Sequence, residues 1–267
     1  MQNRRPRLGP DVPIQPAATV IVVRDAPGGL EVLMLRRAAG ASFAGGAYVF
    51  PGGRVDRADA GDEIADHCSG LDDATASATL GIASGGLAYW VAAVRECLEE
   101  AGVLVGARRD GSPVSLGDDV RRKVHDGSMS MADVCHAYDV VMAFDQVHYV
   151  SHWVTPRGEQ RRFDTRFFLT ALPEGQVAAH DAIETVETHW CRPAEMLERM
   201  AGRELLLLPP TVANLERLAA DGDVASALVS AAGVERPVRI EPRLRLDETG
   251  RWIGIAMPGD PDYDDLD

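Results

Sequence analysis

The stretch that most constrains this chain runs from Tyr89 to Val103, YWVAAVRECLEEAGV. Val91, Val94, Leu98 and Ala101 recur at helical spacing and mark one apolar face. Glu96, Glu99 and Glu100 fall together on the other face, three and four residues apart, with Arg95 at its edge. Like charges at that spacing destabilise a helix by about 0.2–0.5 kcal/mol per pair. A divalent cation removes the repulsion, and a hard, oxygen-seeking ion such as Mg²⁺ suits carboxylates best. Gly102 stands where a helix end wants a left-handed residue. By itself an E-x-x-E-E run is an ordinary solvated acidic face. Its meaning depends on what the chain brings against it.

Upstream, residues 1–16 are polar and proline-rich and read as a loose arm. Ala17 to Arg24 and Leu30 to Arg37 are nearly continuous apolar runs, as expected of strands covered on both faces, and Asp25 to Gly29 is a hairpin turn between them. Tyr48-Val49-Phe50 reads as a short strand that Pro51-Gly52-Gly53 breaks, with glycines that let backbone approach a ligand closely. Residues 59–88 are acidic and poor in large apolar side chains. They read as an insertion within the domain, with a short helix near Asp72 to Leu80.

Downstream, Val103 to Val105 reads as extended, and helices are expected over Ser115 to His125, Met129 to Ala143, Pro193 to Met200 and Thr211 to Ala220. Strands are expected over Val147 to Thr155, Arg162 to Leu172 and Ile183 to Cys191, with a hairpin in Val238 to Met257 around Asp247 to Gly250. In the second of these strands, period two puts Arg162, Asp164 and Arg166 on one side and Phe163, Thr165 and Phe167 on the other.

Composition narrows the function. With 267 residues, 46% of them hydrophobic, the chain can form one large globular domain. No apolar run approaches the roughly 20 residues of a membrane span, and the first residues lack the apolar core of a secretory signal. A net charge of −14 argues against a nucleic-acid partner. Cys68, Cys97, Cys135 and Cys191 lie at no C-x-x-C spacing, so neither a zinc site nor a disulfide framework is indicated, and a reducing cytoplasm fits. His148 and His152 lack a third ligand nearby and read as structural.

The order P-G-G-x-V-D, then R-E-x-x-E-E-x-G, after two apolar strands resembles the box of the Nudix hydrolases, G-x5-E-x7-R-E-U-x-E-E-x-G-U with U bulky and apolar. Gly53, Arg95, Glu96, Cys97, Glu99, Glu100, Gly102 and Val103 match its parts. The acid six residues after the glycine is Asp59, not Glu. Between Gly53 and Arg95 lie 41 residues where the pattern has 13, so 28 are inserted. A long insert at this place is similar to the peroxisomal coenzyme A diphosphatases of animals and their bacterial relatives. So are Trp153, Thr155, Pro156 and Arg161 to Phe168, Leu208-Pro209-Pro210, and Pro242 to Asp260.

The resemblance implies an α/β Nudix fold: an α/β/α sandwich on a mixed sheet, one domain over 17–260, with the insertion at about 59–88, a C-terminal extension at about 205–260 and an acidic tail at 261–267. It implies water attack on the diphosphate of a nucleoside diphosphate derivative, with Mg²⁺ or Mn²⁺ held by Glu96, Glu99, Glu100 and the Gly53 backbone. Glu99 or Glu100 would activate the water through the metal, and Glu184 or Glu187, ahead of Trp190, would assist as a base. Arg95, Gly52 and Gly102 would be structural, Arg95 pairing with an acid to fix the helix against the Pro51 loop. An anionic substrate on an acidic chain needs a local basic pocket. Arg36, Arg37, Arg54, Arg157, Arg161, Arg162 and Arg166 are the candidates, although Arg162, Asp164 and Arg166 also suit a structural ion-pair row. Coenzyme A or acyl-CoA is the leading substrate, with 3',5'-ADP and a phosphopantetheine as products. ADP-ribose or a dinucleotide such as NADH is the alternative, and a Nudix-like binding or regulatory module without hydrolysis is a third reading. Many members of the family dimerise, and a homodimer is compatible with the resemblance.

Overall fold

Alternation along the strands divides this chain into layers. In the computed structural model, which describes residues 12–40, 45–181 and 185–266, β1 (Ile14–Ala26) sends Ala18, Val20 and Val22 to one core and Ile21 and Val23 to another. In β2 (Gly29–Arg37), Leu33 and Leu35 join the first core, Val32 and Met34 the second. Each strand buries both faces, which is why both runs are apolar almost without interruption.

The main sheet adds β3 (Tyr48–Val49), β4 (Gly52–Arg54), β8 (His148–Val154), β9 (Arg162–Ala171), β10 (Thr185–Cys191) and β11 (Arg239–Ile240). Its order is β10-β2-β1-β9-β8-β11, with β3 beside β2 and β4 beside β1. The β1–β9 and β8–β11 pairs are parallel and the others antiparallel, so the sheet is mixed. Against the first core pack α2 (Asp73–Leu80), α3 (Leu87–Ala101), α4 (Asp118–His125) and α5 (Met131–Tyr138), with Ile64 of the short α1 (Asp62–Ala65). Against the second pack α6 (Pro193–Ala201), α7 (Pro209–Leu218) and α8 (Val224–Ala232). The architecture is the expected α/β/α sandwich. A three-stranded sheet of β5 (Cys68–Ser69), β7 (Val140–Ala143) and β6 (Ala107–Arg108), and a hairpin of β12 (Arg243–Leu246) and β13 (Trp252–Ala256), complete it.

Three expectations are corrected. The arm read over 1–16 gives way to β1 at Ile14, because Ile14, Gln15 and Pro16 already pair with Arg162, Phe163 and Asp164 of β9. The helix read over Met129 to Ala143 stops at Tyr138, because Asp139 is left-handed (φ 53°) and the β-branched pair Val140-Val141 continues as β7. Helix α8 has no counterpart among the expected elements. Its small-residue sequence has weak periodicity, and the local signal for it is the capping box of Asp223 and Ser226.

The insertion is not a detached appendage. Ala76 and Leu80 of α2 lie in the first core, and α2 holds the start of α3. Asp73 accepts hydrogen bonds from the Gly85 and Leu87 amides at 3.0 Å each, and those bonds hold its carboxyl below the usual range. Ser77 Oγ accepts one from the Gly86 amide at 2.9 Å, where the backbones approach so closely that a Cβ on Gly86 would overlap Ser77 N. Gly86, the residue before α3, has no side chain with which to cap the helix, so residues of the insertion satisfy its first donors. Asp73→Ala is expected to lower stability by about 1–2 kcal/mol, read by urea denaturation. A midpoint equal to that of the unaltered chain would show that the cap contributes nothing.

Candidate active site

The box glycines reach the acidic helix through β4. Gly52 pairs with Thr19 and Gly53 with Ala18 on β1, while the Val20 amide donates to the Pro51 carbonyl at 2.9 Å. That lays the bend over the C-terminal half of α3, and the Gly52 amide donates to Glu100 Oε2 at 3.0 Å. A Cβ on Gly53 would overlap the Glu96 carboxylate, and one on Gly52 would overlap Thr19 Oγ1 and the Ala18 carbonyl. Both positions therefore need glycine because of what presses on them. The detour of 41 residues between Gly53 and Arg95 leaves bend and helix in contact.

Arg95 organises the acids. Nε and Nη2 donate to the two oxygens of Asp59 at 2.7 and 2.9 Å. Nη1 donates to Glu96 Oε1 and Glu99 Oε1, both at 2.9 Å, and Nη2 also donates to the Arg54 carbonyl at 2.7 Å. All five guanidinium N–H groups are thus used. Asp59 is 1% exposed, so this is a buried pair that ties the insertion, the β4 turn and α3 to one another. Gly102 closes α3 in the left-handed region at φ 67°.

Glu96, Glu99 and Glu100 are 9%, 8% and 4% exposed, far drier than a solvated acidic face. Burial pushes the Glu96 carboxyl up to about 8. Arg95 opposes the shift and the neighbouring Glu99 charge adds to it. Among the described residues no group of three acidic, imidazole or thiol side chains is already arranged to hold an ion. Arg95 draws Glu96 and Glu99 to itself. The donor set still fits a hard divalent cation: crowded, desolvated carboxylates under a backbone turn with no Cβ in the way.

These groups line a cleft of about 890 Å³. Arg37, Arg54 and Arg161 line it too, and it has an apolar wall of Trp153, Phe163, Phe167, Leu206 to Leu208, Leu244, Trp252 and Ile255. The extension from α7 through the β12–β13 hairpin supplies much of that wall.

The structure separates the other sequence candidates. Arg36 is not in the cleft; its guanidinium lies 3.7 Å from Glu187. Glu187 is not there either, and accepts a hydrogen bond from the Tyr48 hydroxyl at 3.2 Å. Glu184 lies outside the described residues. Arg162 and Arg166 are corrected most plainly. They lie on the side of β9 turned away from the cleft, Arg162 bonded to the Thr155 carbonyl and Glu241, Arg166 to Tyr149 and His152. Arg157 does not line the cleft. His125, at the end of α4, does line it, with Nδ1 3.6 Å from Glu99 Oε2. Nothing in the sequence spacing points to it, because α4 and α3 meet only in the fold.

A family model described as the NUDT19 Nudix domain matches residues 71–218, more than half of the chain. A Homo sapiens protein named acyl-coenzyme A diphosphatase NUDT19 is 32% identical over 228 residues, covering 72% of this chain and 61% of that protein. Its Gallus gallus namesake is 30% identical over 253 residues, covering 76% of this chain and 67% of the relative. The chain therefore spans less than two thirds of the human protein's length. Among solved structures, a NUDIX hydrolase from Alicyclobacillus acidocaldarius superposes with a TM-score of 0.70 at 29% identity, covering 82% of this chain and 96% of that one.

Proposed function

The chain belongs to the Nudix hydrolase family, and from that premise we propose that it is a metal-dependent diphosphatase acting on coenzyme A or acyl-CoA, releasing 3',5'-ADP and a (acyl-)phosphopantetheine. The observation that carries this reading is the cleft, which is lined by buried carboxylates, by arginines and by a large set of apolar side chains. A coenzyme A thioester has that polarity, with a phosphorylated nucleotide and a diphosphate followed by a thin, increasingly apolar arm. Relatives named for this substrate support the choice.

In this mechanism water attacks one phosphorus, the anhydride P–O bond breaks, and the departing phosphate carries away the electron pair. Glu96, Glu99 and Glu100 would hold Mg²⁺ or Mn²⁺, with the Gly53 backbone beside them. Bound there, the ion would neutralise diphosphate charge and lower the pKa of the attacking water. Arg95 fixes the orientation of Glu96 and Glu99, and Asp59 fixes Arg95. Gly52 and Gly53 let the bend lie directly against Thr19 and the Glu96 carboxylate. Arg37, Arg54 and Arg161 supply the local positive charge that an acidic chain needs to take an anion.

In this reading residues 17–260 act as one domain, and the reaction runs in the cytoplasm, where the four free thiols stay reduced. No helix among the described residues is long and apolar enough to cross a membrane. Assembly as a homodimer belongs to the same proposal and is checked by sedimentation.

The test is a panel of free CoA, short- and long-chain acyl-CoA, ADP-ribose and NADH, each with Mg²⁺, Mn²⁺ or a chelator, with products identified by mass spectrometry. Metal-dependent release of 3',5'-ADP is the expected result. Preferential cleavage of ADP-ribose or NADH would move the substrate assignment, and no turnover of any diphosphate would favour a binding module. Within the panel, Trp252→Ala is expected to lower kcat/KM for long-chain acyl-CoA by about tenfold, with little change for free CoA, since one large apolar contact is worth about 1–3 kcal/mol. Equal losses on both would remove Trp252 from the acyl path.

A further inference from the structure

The face of β9 opposite the cleft carries its own cavity. Alternate residues of one strand serve the two sides: Phe163, Thr165 and Phe167 line the cleft, while Asp164 and Arg166 line a separate pocket of about 320 Å³. That size is near the lower end of small-molecule sites. The pocket is lined by Leu80 and Gly81 at the end of α2, by Tyr149 and His152 of β8, and by the 236–239 segment that leads into β11.

Its charge is unusual for this protein. Three arginines, Arg166, Arg236 and Arg239, line it against a single carboxylate, Asp164, in a chain of net charge −14. His152 Nε2 lies 2.7 Å from Asp164 Oδ1, and burial raises the Asp164 carboxyl less than His152 and Arg166 lower it, so one negative charge remains. Arg239 shares Glu241 with Arg162. Arg236 makes no hydrogen bond or ion pair among the described residues, yet its guanidinium is packed so tightly over Gly81 that a Cβ there would overlap Nη2. Arg166 is 6% exposed. Its Nε lies 3.1 Å from Asp164 Oδ1 but makes no hydrogen bond, and remains a buried unsatisfied donor. The Tyr149 hydroxyl accepts from Arg166 Nη1 at 2.9 Å, which leaves its own proton to donate. Spare donors and net positive charge around a small cavity suit a tetrahedral oxyanion better than any cation or neutral group.

We propose that this pocket is a second binding site, for a phosphate-bearing small molecule, separated from the active cleft by the thickness of the sheet. Arg236 and Arg239 clamp the anion, Tyr149 donates to it, and Arg166 forms the charged floor. The site does not depend on which diphosphate the cleft hydrolyses, and its test needs no turnover.

Inorganic phosphate is titrated calorimetrically into the 267-residue chain with a chelator present, which keeps metal-assisted phosphate binding out of the cleft. The unaltered chain should bind, and R236A/R239A should bind at least about tenfold more weakly, since two charge-assisted contacts are lost. R236E alone should weaken binding as much, and R236K/R239K should restore part of it. Arg54→Ala, which removes a cation of the cleft, should leave phosphate affinity unchanged. Both arginines sit at the surface, so melting temperatures without phosphate should match. The proposal is overturned if the unaltered chain binds no phosphate. It is equally overturned if R236A/R239A and R236E bind as tightly as the unaltered chain, or if Arg54→Ala abolishes the binding.

Discussion

Glu99→Gln and Glu100→Gln are each expected to slow diphosphate hydrolysis by about 10³-fold while leaving the fold intact. Each change removes a charge and keeps the shape. The amide oxygen introduced by Glu100→Gln can still accept from the Gly52 amide, and the one introduced by Glu99→Gln can still accept from Arg95. What disappears, under the proposed function, is an anionic ligand at a site where metal-assisted charge stabilisation would be worth several kcal/mol, and about 4 kcal/mol corresponds to roughly a thousandfold in rate. Stability without metal should stay level or rise, because one of three crowded carboxylates has been neutralised. Mn²⁺ should raise the melting temperature of the unaltered chain more than that of either variant. Paired kcat and thermal-shift measurements check this, and near-normal hydrolysis by both variants would strip the two residues of their assigned role.

Arg95→Ala is expected to show the opposite balance, a loss of about 3–5 kcal/mol in stability before any question of catalysis arises. Deleting one partner of a buried ion pair leaves the other uncompensated. Here the guanidinium serves Asp59, Glu96 and Glu99 together, with the Arg54 carbonyl as a fourth acceptor. Arg95→Lys should recover little, since an ammonium has three donors and no planar fork to match five bonds to four groups. Denaturant midpoints for both variants test the point. An Arg95→Ala midpoint equal to that of the unaltered chain would mean the network is a consequence of the fold and not a support for it.

The two experiments separate what the box does into chemistry and construction, and the sequence was informative about each to a different depth. Helix α3 was legible almost to its ends, because helical spacing sorts Val91, Val94 and Leu98 from Glu96, Glu99 and Glu100 without reference to anything outside the helix. Its start, Leu87, lies two residues earlier than expected, since the groups that cap it belong to α2. The strands β1 and β2 were legible for the same local reason. The apolar wall of the cleft was not. Trp252 and Ile255 come from a hairpin about 150 residues beyond the carboxylates, and no local pattern announces that they will face them.

Asp59 shows how far spacing can be stretched. Its place six residues after Gly53 marked it as the acid of the box, and the structure puts it on Arg95 despite the long detour that follows. The Arg95–Asp59 contact tolerates an insertion because the extra residues pack back onto the first core through Ala76 and Leu80 and hold α3 through Asp73, leaving both ends of the contact in place.

The order of residues alone determined which side chains travel together: the three glutamates on one helix face, and Arg162 and Arg166 opposite Phe163 and Phe167 on the two sides of β9. Only the tertiary structure decided which of those sides meets the cleft. Period two states that Arg162 and Arg166 oppose Phe163 and Phe167, but it is symmetric between the faces, and a shift of one residue in register would exchange them. That choice is made by parallel pairing with β1, where Ala17 stands opposite Thr165 and Thr19 opposite Phe167, so the aromatic side lies beside the box glycines and the arginine side against the end of α2.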